Sequence, residues 1–400
     1  MLKTFRILAA AAAAALLAAC SSNGASSIPS TGSPLAPNSL RTLANPSQAQ
    51  LGRWPRAGRA DRVCGPVSRG FARCAAWIRT DLGGLKGPQF KNAAISGYHP
   101  VDLQTAYALS TSGGSGVTVA IVDAYHDPNA ASDLAAYRSQ FGLPAGHFTQ
   151  YSLGTKTNTG WAEEESLDVD MVSAICPNCN ILLVEAATNS DANLNKAEQY
   201  ATAHANYVSN SWSGGETSAS SADNYYNFSS GKIVAAATGD NGYNSTAQWP
   251  AVLPYVIAVG GTHLASTNPR SESAWTGAGS GCSNVYAKPS WQTMNVGCTK
   301  RAQSDVSAVA DPNTGVAVYD TFHTSGWLVF GGTSVATPVI TSVFALTGNT
   351  NGNPSVYANA SHLNDVSGGK NGSCGAPLCT SGAGWDGPTG LGSPNGTGAF

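Results

Sequence analysis

Residues 116–124 read GVTVAIVDA, an almost unbroken apolar and β-branched run set between a glycine and a polar loop. It has no helical period and no alternation, which marks a strand buried on both faces. The downstream sequence repeats that theme. PNAASDLAAYRSQFG (128–142) predicts a helix ending at Gly142, CNILLVEAA (179–187) a second buried strand, and DANLNKAEQYATAHA (191–205) another helix. YVSNSWS (207–213), KIVAAATGD (232–240) and YVIAVGGTH (255–263) predict further strands that end in polar or glycine-rich loops. Strands alternating with helices imply an α/β domain with a mostly parallel central sheet flanked by helices. Ligands in such sheets gather at the carboxyl ends of the strands.

The chain has 400 residues, 42% of them hydrophobic, enough for one large domain with extra segments. Only 11% are charged and the net charge is -2, which argues against nucleic acid as a partner. Residues 1–20 have a basic start, an Ala/Leu run too short to span a membrane and small residues before Cys20, so they predict an export signal. Leu17-Ala18-Ala19-Cys20 fits a bacterial lipobox, which would lipidate Cys20 and hold the protein at the cell envelope through acyl chains. Residues 21–56, rich in Ser, Ala, Pro and Asn, predict a flexible tether. Residues 57–96 form a short N-terminal segment, either a clip on the main domain or a remnant of an N-terminal region, and 97–400 the main domain. The remaining cysteines fall into near neighbours: Cys64 with Cys74, Cys176 with Cys179, Cys282 with Cys298, Cys374 with Cys379. In an exported chain these read as disulfides. With no second CxxC and no suitably spaced histidines, Cys176–Cys179 reads as a staple before a metal site.

Candidate chemistry begins at FGGTSVATPVI (330–340), where a double glycine opens into an apolar helix and puts Ser334 at a helix N-terminus, with Pro338 expected in the first turn. The bland alternative is a helix cap. No histidine sits in a catalytic string; His126 and His263 read as loop residues, and no GxSxG occurs. GWAEEESLDVDMVSAICP (160–177) predicts a helix whose apolar stripe, Leu167, Met171, Val172 and Ile175, also carries Glu164 and Asp168. Glu163, Ser166, Asp170 and Ser173 are expected to face solvent, and Glu165 the edge of the stripe. Two acids on a buried stripe should share a proton and serve as base and acid, unless one simply pairs with a buried polar group. Asp240, in AAATGDNGYN (235–244), is either a strand-end turn residue or, if kept protonated, a donor to an oxyanion.

Taken together, these segments resemble the sedolisin family of serine-carboxyl peptidases, over roughly residues 97–400. The family's Glu-x-x-x-Asp matches Glu164 and Asp168, its oxyanion aspartate Asp240, and its G-T-S-x-A-x-P serine Ser334. The resemblance implies a subtilisin-like three-layer fold and hydrolysis of polypeptides through an acyl-enzyme on Ser334. Glu164 would be the base, Asp168 its partner, and Asp240 with the Ser334 N–H would hold the oxyanion, favouring acid conditions. Trp212 and Gly214 would line the substrate cleft. HLNDVSGG (362–369) and SGAGWDGPTGLGSPNG (381–396) resemble the family's structural Ca2+ site, implying Asp365, Val366, Gly382, Gly384 and Asp386 as ligands. A monomer is expected. The chain departs from the family in having a short region before the catalytic domain and Gly331 where serine is common. The competing reading is an inactive surface-anchored binding protein on the same fold.

Overall fold

The computed structural model describes residues 58–82, 95–216 and 231–400. The export signal, Cys20 and the tether lie outside the described residues. The central sheet runs Phe148–Ser152, Asn180–Ala186, Thr118–Ala124, Tyr207–Asn210, Ile233–Ala237, Ile257–Thr267. All of these are parallel; Val306–Val309 adds a parallel partner, and Arg270–Ala274 an antiparallel one, to Ile257–Thr267.

Strand alternation divides the core in two. Val119, Ile121, Ile181 and Leu183 point to the face covered by the Thr159–Ile175 and Thr333–Thr347 helices. Ala120, Val122, Leu182 and Val184 point to the opposite face, against Leu194, Ala197 and Ala201 of the Asp191–His204 helix. The Ala130–Phe141 helix stops where expected, at Gly142 in left-handed conformation with φ 64°.

Three expectations need correction. Ser166, Asp170 and Ser173 are buried, and Glu163 is partly so. The Thr159–Ile175 helix is enclosed by the Thr333–Thr347 and Ala130–Phe141 helices and the Val316–Asp320 strand, so it has no solvent face to give them. Two of them find partners inside: Tyr319 N–H donates to Asp170 at 2.9 Å, and Arg138 Nε to Ser173 at 2.9 Å. His263 lies within the Ile257–Thr267 strand, not in a loop, and bonds Asp311 at 2.8 Å. Pro338 falls inside the helix beyond its first turn.

The N-terminal segment is woven into the domain. Arg73–Cys74 pairs antiparallel with Trp212–Gly215, and Trp77–Arg79 with Gly326–Gly331 and with Ala60–Arg62. All four expected disulfides are closed.

Candidate active site

Gly331 and Gly332 carry the Gly326–Gly331 strand into the Thr333–Thr347 helix. A Cβ on Gly331 would lie 2.4 Å from the Pro312 nitrogen, so the serine common in the resembled family has no room here. Gly332 takes φ 104°, a region costly for any residue with a Cβ. The first helical donors all find partners. Thr333 N–H donates to Asp240 Oδ1 at 2.9 Å, Ser334 N–H to the Ala75 carbonyl at 3.0 Å, and Val335 N–H to Gly332 at 3.0 Å. Pro338 brings no N–H to the Ser334 carbonyl, its helical partner, and the Ser211 hydroxyl donates there instead at 3.3 Å. Ser334 Oγ in turn donates to the Ser211 carbonyl at 2.9 Å. These reciprocal bonds hold the hydroxyl over the end of the Tyr207–Asn210 strand.

Glu164 and Asp168, one helical turn apart, are both fully buried where their helix packs on the Thr118–Ala124 strand and the Ser334 helix. Burial pushes the Glu164 carboxyl well above its ordinary range, with Asp168 and Asp123 adding repulsion, while the Ser334 hydroxyl beside it pulls the value back. Asp168 is raised likewise, by burial and then by Asp123, with the Ser211 hydroxyl opposing. The Ser334 and Ser211 hydroxyls lie beside Glu164 and Asp168 without a well-formed hydrogen bond to either, and no cation pairs with Glu164, Asp168 or Asp123, so burial and mutual repulsion favour their protonated forms. Asp240 is different: Oδ1 accepts from the Thr333 N–H and hydroxyl, and Oδ2 is buried and unpartnered. Burial raises it to about 6 against those bonds and the nearby Arg62 and Arg73. Among the described residues no histidine hydrogen-bonds Ser334, Glu164 or Asp168.

Two members of this cluster escaped the sequence reading. Asp123 stands on the same strand face as Val119 and Ile121, which aims it at the acid pair; a carboxylate inside an otherwise apolar strand was the available signal. Ser211 gave no signal, because its role comes from the neighbouring Ser334 carbonyl. Glu165, expected at the stripe's edge, is buried and turned toward Glu185, whose charge helps raise it after burial itself. Trp212 is buried and ties its indole N–H to the Val122 carbonyl at 2.8 Å, so its side chain is turned into the domain. Gly214 pairs with Trp249 in the same small sheet.

The five calcium-ligand candidates are drawn together at the C-terminal end. Gly384 N–H donates to Asp365 at 3.0 Å, Gly382 N–H to Asp386 at 3.2 Å, and the Ser381 hydroxyl bonds the Val366 carbonyl. Burial raises Asp386 to about 6, and among the described residues no cationic side chain pairs with it or with Asp365. The two carboxylates and the Val366 carbonyl thus accept from N–H and hydroxyl groups of the same turns, and among the described residues no three acidic, histidine or cysteine side chains gather as a metal site.

A parallel sheet, a serine at a helix N-terminus and buried carboxyls in place of an imidazole define a peptidase class. The comparisons agree. The family model described as the subtilase family matches residues 149–367, more than half of the chain. Kumamolisin of Bacillus sp. strain MN-32 is 31% identical, over 84% of this chain and 69% of its own length. Sedolisin of Pseudomonas sp. strain 101 is 29% identical, over 59% of this chain and 42% of its own length. A solved structure of Pseudomonas sedolisin, a serine-carboxyl proteinase complexed with pseudo-iodotyrostatin, superposes with TM-score 0.66 at 25% identity, covering 76% of this chain and 96% of that one. The chain belongs to the subtilase family, in its sedolisin branch, and is a serine-carboxyl peptidase.

Proposed function

We propose that this is an exported endopeptidase that works at acid pH through Ser334, Glu164, Asp168 and Asp240. The observation that carries this reading is a nucleophile-like hydroxyl beside a buried, unpartnered carboxyl pair. Ser334 Oγ turns from the Ser211 carbonyl to Glu164 and attacks a peptide carbonyl; Glu164 takes the proton and passes it to the leaving amine. Asp168 shares the proton, which keeps Glu164 basic enough to accept it in a site that cannot hold two charges. The Ser334 N–H and a protonated Asp240 Oδ2 stabilise the oxyanion. Since Asp240 must be protonated to donate, the rate should fall as pH rises through about 6.

Incubating the protein with denatured casein from acid to neutral pH, beside Ser334→Ala, tests the reading. Cleavage limited to the wild type and to the acid side is expected; equal cleavage by both would refute it.

The same reading includes one structural Ca2+ held by Asp365, Asp386 and the carbonyls of Val366, Gly382 and Gly384, neutralising the buried Asp386. It also includes a lipid on Cys20 holding the enzyme at the envelope. Intact mass of the membrane fraction, compared with Cys20→Ala, tests the lipid.

A further inference from the structure

We propose that Glu185 is a positioning residue for the catalytic acids: its negative charge, set directly beside Asp123, governs how tightly Glu164, Asp168 and Asp123 together hold their protons. This rests on the catalytic roles proposed above. The Asn180–Ala186 strand neighbours Thr118–Ala124, and their parallel register puts Glu185 opposite Asp123. Alternation sends both side chains to the face of Ile121 and Leu183, the one that the Thr159–Ile175 helix covers. On its other side Glu185 is in register with Ser152 of the edge strand Phe148–Ser152. Asp123, Glu185 and Ser152 thus form one row across three strands, running from the fully buried acids to an exposed residue at the margin of the sheet.

The donors around Glu185 come from the edge strand and from the loop after Ala124. The Asp127 N–H donates to Oε1 at 2.9 Å and the Gln150 amide at 2.6 Å, while Oε2 lies 2.9 Å from His126 Nδ1 and accepts from the Ser152 hydroxyl. Four donors around one buried carboxyl compensate a negative charge. Among the described residues no lysine or arginine pairs with it, and the one ion-pairing partner is His126, whose side chain is 30% exposed. The acids that face Glu185 are Asp123 from its own sheet, Glu165 from the Thr159–Ile175 helix and Asp127 from the loop. Asp123 is fully buried, and among the described residues neither of its oxygens has a hydrogen-bond partner.

A charge in this place acts on the whole cluster. Burial first, and then Glu185, push Asp123 well above its ordinary range; burial first, and then the acids around them, Asp123 included, raise Asp168 and Glu164. Three acids this close release protons as a set, so one fixed charge at the margin shifts the set together. A residue that only gathered the four donors could do so as an uncharged acceptor. Acting on the proton of Asp123 takes a charge.

The test is the pH profile of kcat/KM on casein for the full chain, for Glu185→Gln and for His126→Ala, with folding checked by calorimetry. Without the charge of Glu185 the cluster gives up a proton more readily. The acid-side limb of the profile, where Glu164 becomes able to accept a proton, should therefore move down by about one pH unit. The fall near pH 6 belongs to Asp240, beyond the end of the Ile233–Ala237 strand, and should stay where it is. His126→Ala removes a donor that offsets the charge, and should move the acid limb up instead. An acid limb unmoved in Glu185→Gln, or displaced in the same direction by both variants, overturns the assignment and leaves the proposed function standing. If Glu185→Gln does not fold, His126→Ala decides alone, and an unmoved limb overturns the assignment. A wild type that cuts no casein at any pH overturns the proposed function as well.

Discussion

Asp240 shows how one side chain can serve the fold and the chemistry through different oxygens. Oδ1 caps the Ser334 helix by accepting from Thr333, and Oδ2 is left buried and bare. Asp240→Asn keeps a neutral donor at every pH. It should lower the rate on casein by up to about 10²-fold through imperfect geometry, and the fall in rate near pH 6 should vanish from the pH profile. Ser211→Ala removes the hydroxyl that replaces the missing Pro338 donor and opposes the rise of the Asp168 pKa. A loss of about tenfold in kcat/KM is expected, in line with one neutral hydrogen bond, measured on the same substrate. At this scale the sequence exposed Ser334, Glu164, Asp168 and Asp240 because each breaks a local pattern. Ser211 breaks none: a serine in a serine-rich loop becomes informative only when the fold brings Ser334 over it.

The turn between the Gly326–Gly331 strand and the Thr333–Thr347 helix sets the aim of the nucleophile. Gly331→Ser would push a Cβ into Pro312, and should destabilise the protein by about 1–3 kcal/mol, read as a lower Tm in calorimetry of a Ser334→Ala background. Elements were the most legible level. Apolar runs located the strands, and Gly142 ended its helix as glycine does. The Thr159–Ile175 helix shows where that legibility stops. Its stripe was visible, yet the polar residues on the other side are also buried, since periodicity reports one apolar face and cannot tell solvent from a second packed layer that meets polar groups with polar partners. Asp123 was hidden in the same manner, because which face of a strand meets a given helix is decided by tertiary packing.

Across the molecule, acids are buried in unusual number and their protons belong to the fold. Burial raises Glu198 to about 8, Asp127 and Glu163 to about 7, and Asp320 to about 6. Each binds its proton more tightly folded than unfolded. Their contribution to stability is therefore complete below the ordinary carboxylate pKa values and is lost as pH rises through about 6 to 8. Ser334→Ala should melt several degrees higher at about pH 4 than at about pH 8; a Tm that climbs with pH would contradict this. On the proposed Ca2+ site, a chelator near neutral pH should lower the Tm of the same variant, and adding the ion back should recover it. The N-terminal segment was the least legible part at this scale. Its pairing with the cleft is made across more than a hundred residues of intervening chain, and no local pattern announces such a contact.

The proposed mechanism activates Ser334 through a carboxyl pair in place of an imidazole. Its most direct test is the pH dependence of casein hydrolysis by Glu164→Gln against wild type, with both proteins shown to be folded by calorimetry. A glutamine keeps the shape and removes the base, so kcat should fall by about 10³-fold or more at every pH, with KM little changed. Activity within tenfold of wild type would mean that another group takes the serine's proton.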